Sequence, residues 1–246
     1  MKGWLNPKID DREAFSAKTR EICDVYISAE ALEEVGIHVY STDEKMGIQA
    51  REHKNPAIPM CEGHAEKIDP EYIRHGTTGI IASRQVATGE IVAPFVQPTR
   101  TEEDFARHIE EVAETDVEGR HVFVTDNLNT HKSEALVRLV ARWEGVDDSL
   151  LGKKERYGIL KNMASREAFL SDSSHRISFV YTPKHCSWLN QIECWFGIIT
   201  RRLLNRRSSF CSVENLQEKI IAFIDYYNQF MKKPFQWNFK GKLLLV

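Results

Sequence analysis

Two apolar periods alternate along this chain, and their order leaves few architectures open. Short β-rich runs occur at Ile37–Thr42, Thr78–Val86, Glu90–Val96, His121–Thr125 and Ile177–Tyr181. Ala87-Thr88-Gly89, between the second and third runs, is the signal of a hairpin. Other stretches carry apolar residues at steps of three and four. Asp10–Ala31 predicts a polar, amphipathic helix, and Glu102–Glu114 a helix that turns Phe105, Ile109, Val112 and Ala113 to one side. Ser133 can cap a helix running to Trp143, and a last helix starts near Ser212 and buries Val213, Leu216, Ile220, Phe223 and Tyr227. Strand, hairpin, helix, strand, helix, strand, helix predicts an α/β fold, a mixed sheet covered by helices. Glu52–His75 holds three prolines and predicts a loop. Glu144–Arg176 is polar and irregular, with a short helix near Arg166–Leu170, and is taken as an insertion.

At 246 residues the chain can bury one sizeable core. No apolar run is long enough to cross a bilayer, and no charged-then-apolar leader follows Met1, so a cytoplasmic protein without membrane contact is expected. The five cysteines, Cys23, Cys61, Cys186, Cys194 and Cys211, are odd in number and unpaired in spacing, which suits reduced thiols. Cys61-Glu-Gly-His64 is half of a zinc motif with no second half, and is read as a loop. The net charge of −3 conceals an asymmetry. Thr101–Leu150 has 13 acidic against 5 basic residues, whereas Lys184–Val246 has 10 basic against 4 acidic. The densest basic cluster is Arg201, Arg202, Arg206 and Arg207. Such a surface suits a polyanion such as nucleic acid, although arginines also complement the C-terminal end of a helix.

One carboxylate stands out. After the strand Ile177–Tyr181 and the break at Pro183, the spacing predicts a helix from Ser187 or Trp188 to about Arg207, with Leu189, Ile192, Phe196, Ile199 and Leu203 as its stripe. Glu193 falls beside that stripe, where an ionised carboxylate is costly unless paired or holding a metal. Two further acids occupy comparable places, Asp43 closing the first strand and Asp126 closing a later one. Each alone is an ordinary turn former. Together, adjacent strand ends can bring Asp43 and Asp126 within reach of one cation. Oxygen donors suit magnesium, and two such ions can assist phosphodiester cleavage. Without metal the three acids would repel one another and raise a pKa.

Ser41-Thr-Asp43-Glu-Lys-Met-Gly-Ile-Gln-Ala50, Val124-Thr-Asp126-Asn-Leu-Asn-Thr-His131 and Ser187-Trp-Leu-Asn-Gln-Ile-Glu193-Cys-Trp-Phe196 resemble the three acidic motifs of DDE transposases. The nearest resemblance is to the bacterial insertion-sequence branch of the mariner-like superfamily, with the spacing Asn190-x-x-Glu193 its most specific part. The resemblance implies a ribonuclease-H-like fold, two Mg²⁺ or Mn²⁺ ions, and cutting and joining of DNA at terminal inverted repeats. Asp43, Asp126 and Glu193 would be the metal-binding catalytic triad. Water would attack a phosphodiester first, and the freed 3′-hydroxyl would then attack target DNA. Asn127, Asn129, His131 and Asn190 would support the ligands or contact DNA, or else serve as caps and turn formers. Arg201, Arg202, Arg206 and Arg207 would bind double-stranded DNA. The resemblance also implies a homodimer at synapsis and a bacterial, nucleoid-associated location.

The resulting division is a connector helix region over residues 1–35 and a catalytic domain over 36–246, with the insertion at about 144–176. Lys153, Lys154, Arg156 and Lys161 in that insertion are expected to contact DNA or a second protomer. The chain is expected to start in the connector, at Trp4-Leu-Asn-Pro, after the family's helix-turn-helix modules. Two other readings stay open, a ribonuclease-H-like nuclease that cuts without joining and an inactive, truncated DNA-binding remnant. Other enzyme classes lack their motifs: there is no phosphate-binding glycine loop and no Gly-x-Ser-x-Gly elbow, and no orienting acid stands by His185-Cys186.

Overall fold

Backbone pairing carries the first strand well beyond its apolar run. The computed structural model describes residues 11–184 and 186–239; the expected start at Trp4 and the residue His185 lie outside them. Strand β1 spans Ile37–His53, not Ile37–Thr42. The polar residues after Thr42 end the apolar alternation but not the hydrogen bonds. β2, Tyr72–Gln85, stays antiparallel to it from Tyr40↔Gln85 through Asp43↔Ala82 and on to His53↔Tyr72. The register slips between Lys45 and Ile48, where Gly47 adopts φ +70°, a backbone geometry that favours glycine. Asp43 therefore lies within a strand.

β3, Ile91–Gln97, completes the hairpin with β2. β4, Arg120–Thr125, and β5, Ile177–Tyr181, join in parallel, giving one five-stranded sheet ordered β3-β2-β1-β4-β5. The expected mixed sheet is thus present. Its exposed edge is blunted: Pro94 has no N–H to offer, and Asn228 takes both the N–H and the carbonyl of Ile91, at 2.9 and 2.8 Å.

Strand alternation sends neighbouring residues to two cores. Tyr40, Ile81, Phe123 and Phe179 pack with α2 (Glu102–Ala113) and α3 (Glu134–Glu144) on one face. On the other face, Val39 and Val124 meet Ile22, Tyr26 and Ala29 of α1 (Arg12–Glu33), which Asp11 caps. Ile80 and Ala82 on that same face belong to a core with the two C-terminal helices described below. Ser133 caps α3 as expected, accepting the Leu136 N–H, and Thr101 and Asp104 form a reciprocal box at the start of α2.

The segment 144–176 departs from its polar reading. It contains α4, Asp148–Leu151, and α5, Met163–Leu170, and it inserts Leu151, Leu160 and Leu170 into the same core as Phe123. Three leucines scattered between charges carry no period, so their burial is invisible locally. Lys153, Lys154, Arg156 and Lys161 are exposed. Cys61 and His64 close a tight loop through mutual backbone bonds of 3.2 and 2.9 Å, and among the described residues no metal-binding group includes them. No disulfide forms among the described residues, and none of their helices is long and apolar enough to cross a membrane.

Candidate active site

Parallel pairing sets two of the three acids side by side. Ser41 pairs with Val124 at the end of the parallel β1–β4 ladder, so Asp43 and Asp126 stand two residues beyond, side by side. By alternation they share the α1 face with Ser41 and Val124. Asp43 is 7% exposed; its Oδ1 accepts the Glu44 N–H at 2.8 Å and its Oδ2 accepts Asn190 Nδ2 at 3.3 Å. Burial, and then the charge of Asp126, push the Asp43 carboxyl up to about 7. Burial is the larger cause, and the repulsion expected of neighbouring acids adds to it.

Asp126 is held differently. Its Oδ1 accepts the Leu128 N–H at 2.8 Å and faces His131 Nδ1 at 2.8 Å. Burial alone would raise its pKa, but the His131 bond and charge outweigh that and lower it. His131 is fully buried, with Phe105 4.3 Å from its ring centre and Nε2 3.1 Å from Glu44 Oε2. Burial opposes its protonation, but Asp126 and Glu44 together raise it to about 10, so the ring is cationic at neutral pH.

Asn190 organises the third motif. It is fully buried, donates to Thr42 O at 2.9 Å and accepts from the Ser41 hydroxyl. Its backbone is extended there, at φ −83° and ψ 108°. The expected single helix from Ser187 to Arg207 is therefore broken into a 3₁₀ turn, Ser187–Leu189, and α6, Ile192–Arg202. The bonds Asn190 makes into β1 take the backbone out of helical geometry. Ser41 Oγ then accepts the Ile192 N–H at 2.8 Å, one of the donors a helix start leaves unpaired.

The buried face of α6 is Ile192, Trp195, Phe196 and Ile199. Glu193 is exposed, against the expectation that it borders the core. The stripe was drawn through Leu189, which belongs to the preceding turn; Trp195 takes the buried place instead. An exposed acid in a first helical turn is favoured by the helix dipole, so burial makes no case for Glu193. Among the described residues its carboxylate makes no hydrogen bond or ion pair. Its candidacy rests on its spacing from Asn190.

Around these acids, Asn127 donates to Thr182 O and accepts from Lys132 Nζ. Lys132 also bonds Glu167 at 2.7 Å and lies 4.3 Å over the Tyr181 ring. Asn129 is exposed at the start of the turn that carries His131. A groove beside Asp126 is lined by Asn127, Leu128, Thr182, Pro183, Lys184, Cys186 and Ser187. Burial raises the Cys186 thiol's pKa, which disfavours a thiolate. Arg201 and Arg202 end α6, about 14 Å along its axis from Glu193 at 1.5 Å per residue. Arg206 and Arg207 lie beyond the helix; all four are exposed, and Arg207 pairs with Glu66 at 2.8 Å.

α7 (Val213–Phe230) closes this face, burying Leu216, Ile220, Ile224 and Tyr227. Sequence reasoning missed Glu44, whose side chain is 1% exposed, and Lys132, only 5% exposed. The available signal for Glu44 was its place one residue after Asp43 in a strand, which turns it to the opposite face.

Among known proteins, a family model described as DDE superfamily endonuclease matches residues 38–217. No curated protein matches the sequence. The structure of the Mos1 mariner paired end complex with Mn is 11% identical with a TM-score of 0.51, over 93% of this chain and 61% of that one. The catalytic domain of Mos1 mariner transposase is 10% identical with a TM-score of 0.50, over 92% of this chain and 86% of that one. At such identity the likeness shows the fold, which is ribonuclease-H-like. The chain spans about three fifths of the Mos1 chain in the paired end complex, 61% of its length.

Proposed function

The chain belongs to the DDE superfamily endonucleases, and on that premise we propose that it is a transposase catalytic domain that cuts DNA at transposon ends and joins the cut ends to target DNA. Within the superfamily we place it in the bacterial insertion-sequence branch of the mariner-like enzymes. The observation that carries this reading is the placement of Asp43 beside Asp126 on neighbouring parallel strands, where burial first and then the Asp126 charge push the Asp43 carboxyl up to about 7. A buried carboxylate beside a half-buried one fits a hard divalent cation. The similar Mos1 paired end complex is described as containing Mn.

Asp43, Asp126 and Glu193 would hold two Mg²⁺ or Mn²⁺ ions. Bound there, such ions supply charge that favours attack on a phosphodiester and departure of the leaving oxygen. The chain's own residues prepare the ligands. Asn190 ties Asp43 to the start of α6. Leu128 N–H and His131 both engage Asp126 Oδ1, and among the described residues Oδ2 has no partner. Lys184 and Ser187 line the groove beside Asp126, where a DNA strand would lie, and Arg201, Arg202, Arg206 and Arg207 would take more distant phosphates. Two copies would act together when two ends are synapsed.

The test is Mg²⁺- or Mn²⁺-dependent nicking of DNA by the purified chain and by Asp126→Asn. We expect the substitution to abolish nicking; activity that survives it refutes the site. Pre-nicked ends distinguish joining from cutting alone, because joined products require strand transfer.

A further inference from the structure

We propose that Glu44 is a positioning residue for the metal site, acting through His131 to fix which oxygen of Asp126 faces the cation. The inference rests on the reading of Asp126 as a metal ligand and concerns the residue one place after Asp43, turned to the other face of the sheet. Glu44 Oε2 is 3.1 Å from His131 Nε2, and His131 Nδ1 is 2.8 Å from Asp126 Oδ1. Both ring nitrogens are therefore engaged, and Phe105 packs against the ring. With one end of the imidazole held by Glu44, the other can only meet Asp126. Asp126 Oδ1 thus carries two donors, His131 and the Leu128 N–H, and Oδ2 is the oxygen left for a cation.

Stability alone is a poor reason for this arrangement. The Glu44 side chain is 1% exposed, and its Oε1 has no hydrogen-bond partner among the described residues. A buried ion pair contributes less than well-packed apolar residues of the same volume, and an unpartnered carboxylate oxygen adds a further penalty. A fixed ligand geometry is what the buried acid provides. Residues that orient metal ligands in this way typically change affinity about 10- to 100-fold when removed. Direct ligation is the competing arrangement, since oxygens of Asp43 and Glu44 and a nitrogen of His131 lie within 4.8 Å of one another. It would require His131 to give up one of its two carboxylate partners.

The experiment measures Mn²⁺ binding by electron paramagnetic resonance on the full chain without DNA, for wild type, Glu44→Leu and Glu44→Gln. Glu44→Leu should weaken Mn²⁺ binding by about 10-fold or more, and Glu44→Gln by less, because its amide oxygen still accepts from the ring. Nicking by both variants should recover as Mn²⁺ is raised, and a metal-free Tm close to wild type separates a weakened site from a merely destabilised fold. Wild-type affinity in Glu44→Leu overturns the proposal. So does hyperfine coupling of bound Mn²⁺ to a histidine nitrogen in the wild type, which would make the ring a ligand. If Glu44→Leu does not fold, Glu44→Gln decides by the same comparison, unchanged affinity counting against. A wild type that binds Mn²⁺ but never nicks DNA overturns the endonuclease reading alone; one that binds no Mn²⁺ overturns both.

Discussion

Replacing Asn190 with alanine isolates the strut that joins the first acidic motif to the third. The side chain is fully buried and makes three bonds: to Thr42 O at 2.9 Å, to Asp43 Oδ2 at 3.3 Å and from the Ser41 hydroxyl. Truncation takes the Asn190 donor from the buried Thr42 carbonyl and the acceptor from the buried Ser41 hydroxyl. Taking about 1–1.5 kcal/mol for each of these two groups, near the low end for buried unsatisfied partners, and a small cavity besides, the loss is about 3 kcal/mol. For a chain of this length that lowers Tm by about 6–12 °C. The third bond adds a signature that packing alone would not. Asp43 loses a donor that favours its charged form, so its carboxyl should rise further and hold a divalent cation less well at neutral pH. Differential scanning calorimetry with a Mn²⁺ titration reads both effects. A Tm within about 2 °C of wild type, with unchanged Mn²⁺ affinity, would refute the reasoning.

Two other predictions probe parts of the fold away from the acids. His38 lies between Glu33 Oε1 at 3.0 Å and Asp116 Oδ2 at 2.8 Å; burial lowers its pKa, but the two carboxylates outweigh this and raise it above 6.5. Its stabilisation should be fully present below the unfolded value of 6.5 and be lost as pH rises through the higher folded value. Urea unfolding across that interval should show a decline that His38→Gln lacks, and parallel profiles would count against the pairing. Gly89 adopts φ +81°, and a Cβ there would stand 2.2 Å from Lys233 O. Gly89→Ala should therefore unseat the segment after α7, which stacks Phe235 on Arg84 at 3.7 Å and sets Trp237 against Tyr26 at 4.9 Å. Faster tryptic cleavage after Lys232 is the expected result, since Pro234 protects the bond after Lys233, and an unchanged rate would contradict it.

Much of the architecture was legible because it rests on neighbours in the chain. β5 occupies the expected Ile177–Tyr181, and α7 starts at its Ser212 cap with Leu216, Ile220 and Tyr227 buried, because capping bonds and apolar periods act over four residues. Asp126 follows the end of β4 as expected, whereas Asp43, expected to close its strand, lies inside β1; the order of the strands already implied a mixed sheet. The remaining features depend on pairings between distant segments. β1 continues past Asp43 because β2 supplies its hydrogen bonds, whatever the side chains. The helix expected across Asn190 breaks because that side chain bonds Ser41 and Thr42, 149 and 148 residues away. Leu151, Leu160 and Leu170 find the core without any period to announce them. Glu193, inferred to border the core, lies exposed once Trp195 takes the inward place, whereas Glu44, passed over beside Asp43, is buried against His131. Local sequence determined which residues could form strands, helices and acidic motifs. Which acid is buried, which is exposed and which histidine joins them was decided only in three dimensions, since burial and charge pairing depend on what the other elements bring to the same place.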